Sequence, residues 1–398
     1  MRLFINSLAA SAGGGLTYIR NVLPVLAIRP EVTVTVAASA GVQQEFGAIP
    51  SINFVGTNFP SGRRFWYEQF VLPRIIRQSR TEVLLSAGNF ALTNSPVPQI
   101  LLSRNSIYTS KDFYRDLLAR HEYRTWVDTR IRAVIAKASV NWADVTISPS
   151  ESFAAELRRW TGASDIVSVH HGFDREAFVR EKSPLTAEVE RKLHGADDSL
   201  KLLFVSHYNY YRNFETLIRA LPHIRDRLDG RRVQLLLTCK LASGENPGSY
   251  HPESAAKLIK ELGVSDMVIQ LGAIPYAQLH QVYSRANIYV TPAYTETFAH
   301  PLVEAMSFGL PIVASDLPVH REICDDAALY FSRFSERELA DRLADLVSAE
   351  DLGPRLGARG VQRSSSFSWN KHVDELIAVA SSLAGRSALQ PQVESRTR

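Results

Sequence analysis

The chain is 398 residues long, 45% hydrophobic and 22% charged, with a formal net charge of +4. That length exceeds the ~250–300 residues at which one hydrophobic core stops growing, so two domains are expected. The composition is that of a globular protein and excludes disordered and fibrous classes. Two cysteines, Cys239 and Cys324, are too few for a disulfide framework and fit a reducing compartment. No apolar run reaches the length of a membrane-spanning helix. Met1–Asn6 turns polar too soon for a signal peptide and reads as a first strand.

The basic charge lies in the first half. Residues 1–180 carry 20 Lys and Arg against 14 Asp and Glu; residues 181–398 carry 25 against 27. A basic half attracts anionic substrates, membranes or nucleic acid. No nucleic-acid module accompanies it, so no nucleic-acid partner is expected.

Strand-like and helix-like runs alternate, the pattern of parallel α/β architecture. In the first half the expected strands are 3–6, 32–37, 83–86, 99–103, 145–149 and 167–170. Amphipathic helices are expected over 17–27, 65–77 and 125–139. The stretch 180–200 is polar, contains Pro184 and Gly195, and reads as a linker. The apolar run 201–205 restarts the pattern. Further strands are expected at 233–238, 267–271, 288–291, 312–315 and 328–331. Helices are expected at 214–225, 252–262, 276–286, 302–309 and 336–348. After Leu383 the sequence offers no core, and residues 384–398 are expected to be disordered.

The most informative stretch runs from Thr291 to Ser315. A strand feeds a polar loop, then a helix begun near Pro301 and ended by Gly309, then another strand. This places Glu296 in the loop and Glu304 on the helix. Ligands of open α/β sheets bind at the carboxyl ends of strands, where helix N-termini offer N–H groups to phosphate. Carboxylates there accept hydrogen bonds from sugar and ribose hydroxyls.

This stretch resembles the Glu-x7-Glu signature of family 4 retaining glycosyltransferases. The resemblance continues in 203–207 with Arg212-Asn213-Phe214-Glu215-Thr216-Leu217, in 169–178, and in Phe367-Ser368-Trp369. It implies the GT-B fold: two Rossmann-like domains facing a cleft, with a C-terminal helix crossing back to the first. The expected domains are 1–180 on the acceptor side, 200–366 on the donor side, and the crossover helix 367–383. Donor-binding residues would be Gly14, His207, Arg212, Lys240, Thr297, Phe298, Ala299 and Glu304, with Glu296 beside the reacting sugar. Arg212 would face the diphosphate, a role suited to its planar fork of donors. His207 stands where relatives often carry arginine. Gly13-Gly14-Gly15 matches a flexible loop near the donor phosphates. Near Ser103-Arg104-Asn105 many relatives carry a histidine, and Asn105 is taken as the first-domain catalytic partner, with Arg104 as the other candidate.

The resemblance implies a metal-independent, retaining transfer from a nucleotide-diphosphate sugar to a glycan, lipid-linked or small-molecule acceptor. No Asp-x-Asp or zinc spacing is present, and no cofactor is expected. A non-hydrolysing sugar-nucleotide epimerase and a catalytically silent scaffold for a partner protein are alternatives on the same fold. The basic aromatic stretch Arg63–Arg80 is read two ways: as a helix packed on the sheet, or as a seat on an anionic membrane. The expected location is cytoplasmic, with the second reading placing the chain at the inner membrane face.

Overall fold

The computed structural model describes residues 1–10, 13–47, 49–56, 63–248 and 250–394. Its packing divides into two units. The first comprises Met1–Thr109, Tyr123–Gly172 and the residues from Ser368 onward; the second comprises Ser110–Glu122 and Phe173–Phe367. The expected linker at 180–200 therefore lies within the second unit, where it contains the helix Ala187–His194, capped by Thr186. Its apolar Val189 and Leu193 are buried; they are too few to stand out among the surrounding charges.

The first unit is built on seven strands: β1 (Arg2–Asn6), β2 (Thr33–Ala38), β3 (Ile52–Gly56), β4 (Val83–Ser86), β5 (Gln99–Leu102), β6 (Val145–Ser148) and β7 (Ile166–Ser168). Their order is β3-β2-β1-β4-β5-β6-β7. The second unit has β8 (Leu200–Phe204), β9 (Val233–Leu237), β10 (Val268–Gln270), β11 (Ile288–Thr291), β12 (Ile312–Ser315) and β13 (Ala328–Phe331), ordered β10-β9-β8-β11-β12-β13. The recorded strand pairs are parallel. Both sheets thus have the doubly wound order, with the direction of winding reversing beside β1 and beside β8. Helices cover both faces, which is why β4, β5, β8, β9, β11 and β12 are buried along their whole length.

In the first unit, Leu3 and Ile5 face one layer and Phe4 the other, as strand alternation requires. Leu3, Ile5, Val34, Val36 and Leu85 pack with the helix Gly13–Ala27 and with Val373, Leu376, Ala380 and Leu383 of the last helix. Phe4 and Leu84 pack on the opposite face with Leu72 and Ile76. The last helix runs from Trp369 to Glu394, through residues expected to be disordered. Ala384 still packs against the core, and Ala388 and Leu389 are good helix formers; positions 395–398 of that expectation lie outside the described residues. β3 and the helix Leu352–Ser364 went unrecognised in the sequence. Gly353, Pro354, Gly357 and Gly360 disguise the latter, and Gly357 and Gly360 are what let it sit close to Gly309 and Met306. The expected single helix 65–77 is two, Arg64–Phe70 and Leu72–Gln78, parted at Val71 with Pro73 opening the second.

The C-terminal helix is held by His372, which is buried. Its Nδ1 lies 2.8 Å from the His170 carbonyl and its Nε2 3.0 Å from the Tyr18 hydroxyl. A carbonyl only accepts, so Nδ1 carries the proton and Nε2 accepts from Tyr18. Burial pushes the His372 pKa down to about 4, and does the same to His320 of the second unit. Both histidines are neutral when folded but charge near pH 6.5 when unfolded. Their contribution is complete above pH 6.5 and is lost as pH falls toward 4, at most about 3 kcal/mol each. Urea unfolding at pH 7 and pH 5 is expected to show this loss, and His372→Gln to flatten the pH dependence.

Candidate active site

In the second unit the winding reverses between β8 and β11, and the loops leaving these strands hold the residues singled out in the sequence. After β8 come His207, Arg212 and Asn213; after β11 come Tyr294, Glu296 and Thr297. Asn213 adopts φ 57°, a left-handed conformation that asparagine tolerates. Its amide donates to the Pro292 carbonyl (3.0 Å) and the Arg333 carbonyl (2.7 Å). The Tyr294 N–H donates to the Tyr211 carbonyl at 3.1 Å. The two loops are thereby tied to each other.

Across this tie Arg212 and Glu296 form an ion pair, their side chains 22% and 9% exposed. The Arg212 guanidinium lies 5.4 Å from the Tyr211 ring centre, and its Nε is buried without a hydrogen-bond partner among the described residues. A cation so placed keeps donor capacity for an anion. His207 is exposed. Partial burial and the nearby Arg212 both push its pKa below the usual imidazole range, so it is neutral at pH 7. Lys240 follows β9 and is exposed. A Cβ on Gly272, which follows β10, would lie 3.4 Å from the Lys240 Cε, so the stem rests on that glycine.

The helix His300–Ser307 begins at the carboxyl end of β11, with Ala299 at its N-cap position and no side-chain cap. Phe298 and Ala299 are buried, and Thr297 is half-buried. Ala299 has φ 62° and ψ 63°, a conformation that costs a non-glycine residue roughly 1–2 kcal/mol. Ala299→Gly is therefore expected to raise stability by about 1 kcal/mol, measured by chemical denaturation. Glu304, on the same helix, is 3% exposed. The Tyr283 hydroxyl donates to its Oε2 at 2.7 Å. Burial pushes the Glu304 pKa up to about 7, against the pull of hydrogen bonds from Tyr283 and Tyr276.

A second set of charges supports these loops and was not singled out in the sequence. It comes from Ser110–Glu122, a segment of the first half of the chain that packs in the second unit. Arg120 pairs with Asp116 (2.7 Å) and Glu215 (2.9 Å). The Tyr294 hydroxyl donates to Asp116 at 2.8 Å, and the Tyr208 hydroxyl to Glu215 at 2.8 Å. Tyr210 donates to Glu122 at 2.7 Å, and Arg333 pairs with Asp112 at 2.6 Å. Burial opposes the charge on Arg120, but Glu215 and Asp116 outweigh it and hold its pKa above the usual value. No spacing signal could reveal this set, because its members are drawn from opposite halves of the sequence.

In the first unit the winding reverses between β1 and β4. Arg104 spans that point: Nη1 donates to the Gly14 carbonyl at 2.6 Å and Nη2 to the Ala87 carbonyl at 3.2 Å. Burial lowers its pKa to about 10. Gly14 itself is exposed, in the first turn of its helix. Asn105 caps the turn Ser106–Tyr108, its Oδ1 accepting from the Ile107 N–H at 3.3 Å. Arg104 is thus the residue that reaches the glycine turn, while the Asn105 side chain is engaged locally. Among the described residues, no three His, Cys, Asp or Glu side chains gather as a metal ion would require, and no helix is long and apolar enough to cross a membrane.

Comparisons with known proteins agree with this architecture. Residues 12–177 match the model of "Glycosyltransferase Family 4", and residues 186–363 that of "Glycosyl transferases group 1". A D-inositol 3-phosphate glycosyltransferase of Corynebacterium aurimucosum is 28% identical over 250 residues, 61% of this chain and 58% of the relative. One from Thermobifida fusca is 27% identical over 61% of this chain and 56% of the relative. The chain thus spans less than two thirds of the length of these curated relatives. Sucrose-phosphate synthase from Thermosynechococcus elongatus superposes with a TM-score of 0.73 at 18% identity, covering 97% of this chain and all of the other. HepE of Anabaena in complex with UDP does so with 0.69 at 15% identity, covering 96% and 100%. The matched stretches take in both units and the Glu296–Glu304 segment, and the chain belongs to the group 1 glycosyltransferases of family 4.

Proposed function

We propose that the chain is a retaining glycosyltransferase that takes a sugar from a nucleotide-diphosphate donor, without a resident metal or other cofactor, and passes it to a glycan, lipid-linked or small-molecule acceptor. The observation that carries this reading is the Arg212–Glu296 pair at the carboxyl ends of β8 and β11. There the Arg212 fork would hold the diphosphate, assisted by Lys240 and the N-terminus of His300–Ser307. The anomeric carbon gains positive charge as the diphosphate leaves. Glu296, its charge shared with Arg212 in the free protein, would accept a donor-sugar hydroxyl and stabilise that change. Family membership and the HepE complex with UDP support a nucleotide donor.

Glu304 would accept hydrogen bonds from the ribose. Its raised pKa, about 7, has two consequences. The folded state favours the protonated form, so its contribution to stability is complete below the unfolded carboxyl value near 4.5 and is lost as pH rises through 7. Ribose binding uses the ionised form, so nucleotide affinity is expected to strengthen as pH rises from 6 to 8. Calorimetric titration with UDP or GDP at both pH values checks this. Glu304→Gln should weaken binding at pH 8 and abolish the pH dependence; an unchanged profile would remove Glu304 from the site.

The function is tested by incubating the protein with a panel of nucleotide sugars and acceptors, with and without EDTA. The expected result is nucleotide diphosphate released with a product of the donor's anomeric configuration, at an undiminished rate under EDTA. Loss of activity under EDTA with rescue by magnesium would replace the metal-free account.

A further inference from the structure

On the face of the first sheet away from the last helix, two helices carry large apolar side chains that are exposed among the described residues. Strands β1 to β3 step one way along the sheet, and β3 to β7 step the other. Right-handed crossovers then put the β3–β4 and β5–β6 connections on the same face. The first connection contains Arg64–Phe70, the second Tyr123–Trp142. Arg64 of one and Arg132 of the other both lie within electrostatic reach of Tyr108. Phe65 is 45% exposed, Trp66 60% and Phe70 66%, with the Trp66 and Phe70 rings tilted against each other at 5.6 Å. On the second helix Val127, Ile131 and Val134 are 49%, 57% and 70% exposed. They recur at i, i+4 and i+7, which is one stripe.

The charges around these residues are predominantly basic. Between Arg63 and Arg80 there are five arginines and one acid, Glu68, which is buried. Arg63, Arg74, Arg77 and Arg80 are exposed, and no acidic partner is recorded for them among the described residues. The helix Tyr123–Trp142 adds four basic residues against Asp128, which pairs with Arg132 at 2.7 Å.

We infer that this face seats the protein on an anionic lipid bilayer. Aromatic and aliphatic side chains set among arginines enter the headgroup region while the guanidiniums meet lipid phosphates. A second copy of the chain fits the face poorly. A two-fold interface sets the same patch against itself, and here that would oppose arginine to arginine. The inference is independent of the chemistry proposed for the second unit, since none of these residues belongs to it.

Co-sedimentation of the full chain with phosphatidylcholine vesicles, with and without phosphatidylglycerol, tests it. Binding is expected only to the anionic vesicles, and to be lost when salt rises from about 0.1 to 1 M. Arg74→Ser/Arg77→Ser/Arg80→Ser should lower the partition coefficient on the order of a hundred-fold, at roughly 1 kcal/mol per basic residue near the surface. Trp66→Ser/Phe70→Ser should also release the protein. These side chains are exposed, so melting temperature and donor turnover in solution should stay unchanged. No binding to anionic vesicles, equal binding to neutral ones, wild-type binding by both variants, or a dimer that Trp66→Ser/Phe70→Ser dissociates would each overturn the inference.

Discussion

Replacing Arg212 with methionine is expected to lower kcat/KM for the nucleotide-sugar donor by a few hundred-fold, with a smaller loss of stability. Two effects combine. The diphosphate loses a bidentate, charge-assisted contact, each bond of which is worth about 1.5–3 kcal/mol. Glu296, 9% exposed, loses the cation that offsets its burial, but Arg212 itself is 22% exposed, so the cost stays below the roughly 3–5 kcal/mol of breaking a fully buried pair from one side. Glu296→Gln separates the two. It keeps the shape, removes the charge, and should depress kcat roughly ten- to hundred-fold with little change in KM. Because the residues touch, their effects should not add, and the double variant should lose less than the sum of the singles. Steady-state kinetics of the three variants and their unfolding midpoints check this. Wild-type kinetics in Glu296→Gln would mean that the pair only fastens two loops together, and full additivity that the two residues do not act as a pair.

The largest effect on stability is expected at Gly172. A Cβ there would lie 2.1 Å from the Trp369 backbone nitrogen and 2.4 Å from the Ser368 carbonyl carbon. Both are main-chain atoms at the start of the last helix, and no rotamer change relieves the overlap. Gly172→Ala should therefore displace that helix from Tyr18, His171 and His372, whose rings surround Trp369 in the same unit. The expected loss is about 4 kcal/mol or more, in the range of severe core damage. Gly41→Ala is the matched control. It lies in the helix Ala40–Phe46 with nothing within 4 Å of the added carbon, and should stabilise by about 0.5–1 kcal/mol. Guanidinium unfolding of the two variants should give opposite signs. A Gly172→Ala protein of ordinary stability would show that the close approach is not needed.

The regions legible in the sequence share a physical cause. β11, β12 and β13 match the expected strands residue for residue, because buried parallel strands are short apolar runs bounded by polar loops. The segment from Thr291 to Ser315 was readable because strand, loop, helix and strand follow each other within one stretch of chain. What was hidden depended on distance or on small residues. β3 carries Asn53 and Gly56 within five residues and lies at a sheet edge, so its apolar pattern is weak. The Asp116–Arg120–Glu215 cluster joins positions 95 residues apart, and each member looks like an ordinary helix-surface charge by itself. The sequence left the Arg63–Arg80 stretch open between a packed helix and a membrane seat, since an aromatic residue in a helix reads as core until its surroundings are known.

The most direct measurement is the crystallographic position of UDP or GDP bound to this chain. The account predicts the diphosphate against Arg212 and the N-terminus of His300–Ser307, with the ribose hydroxyls on Glu304. A nucleotide seated on β1 to β7, away from Arg212 and Glu304, would contradict it.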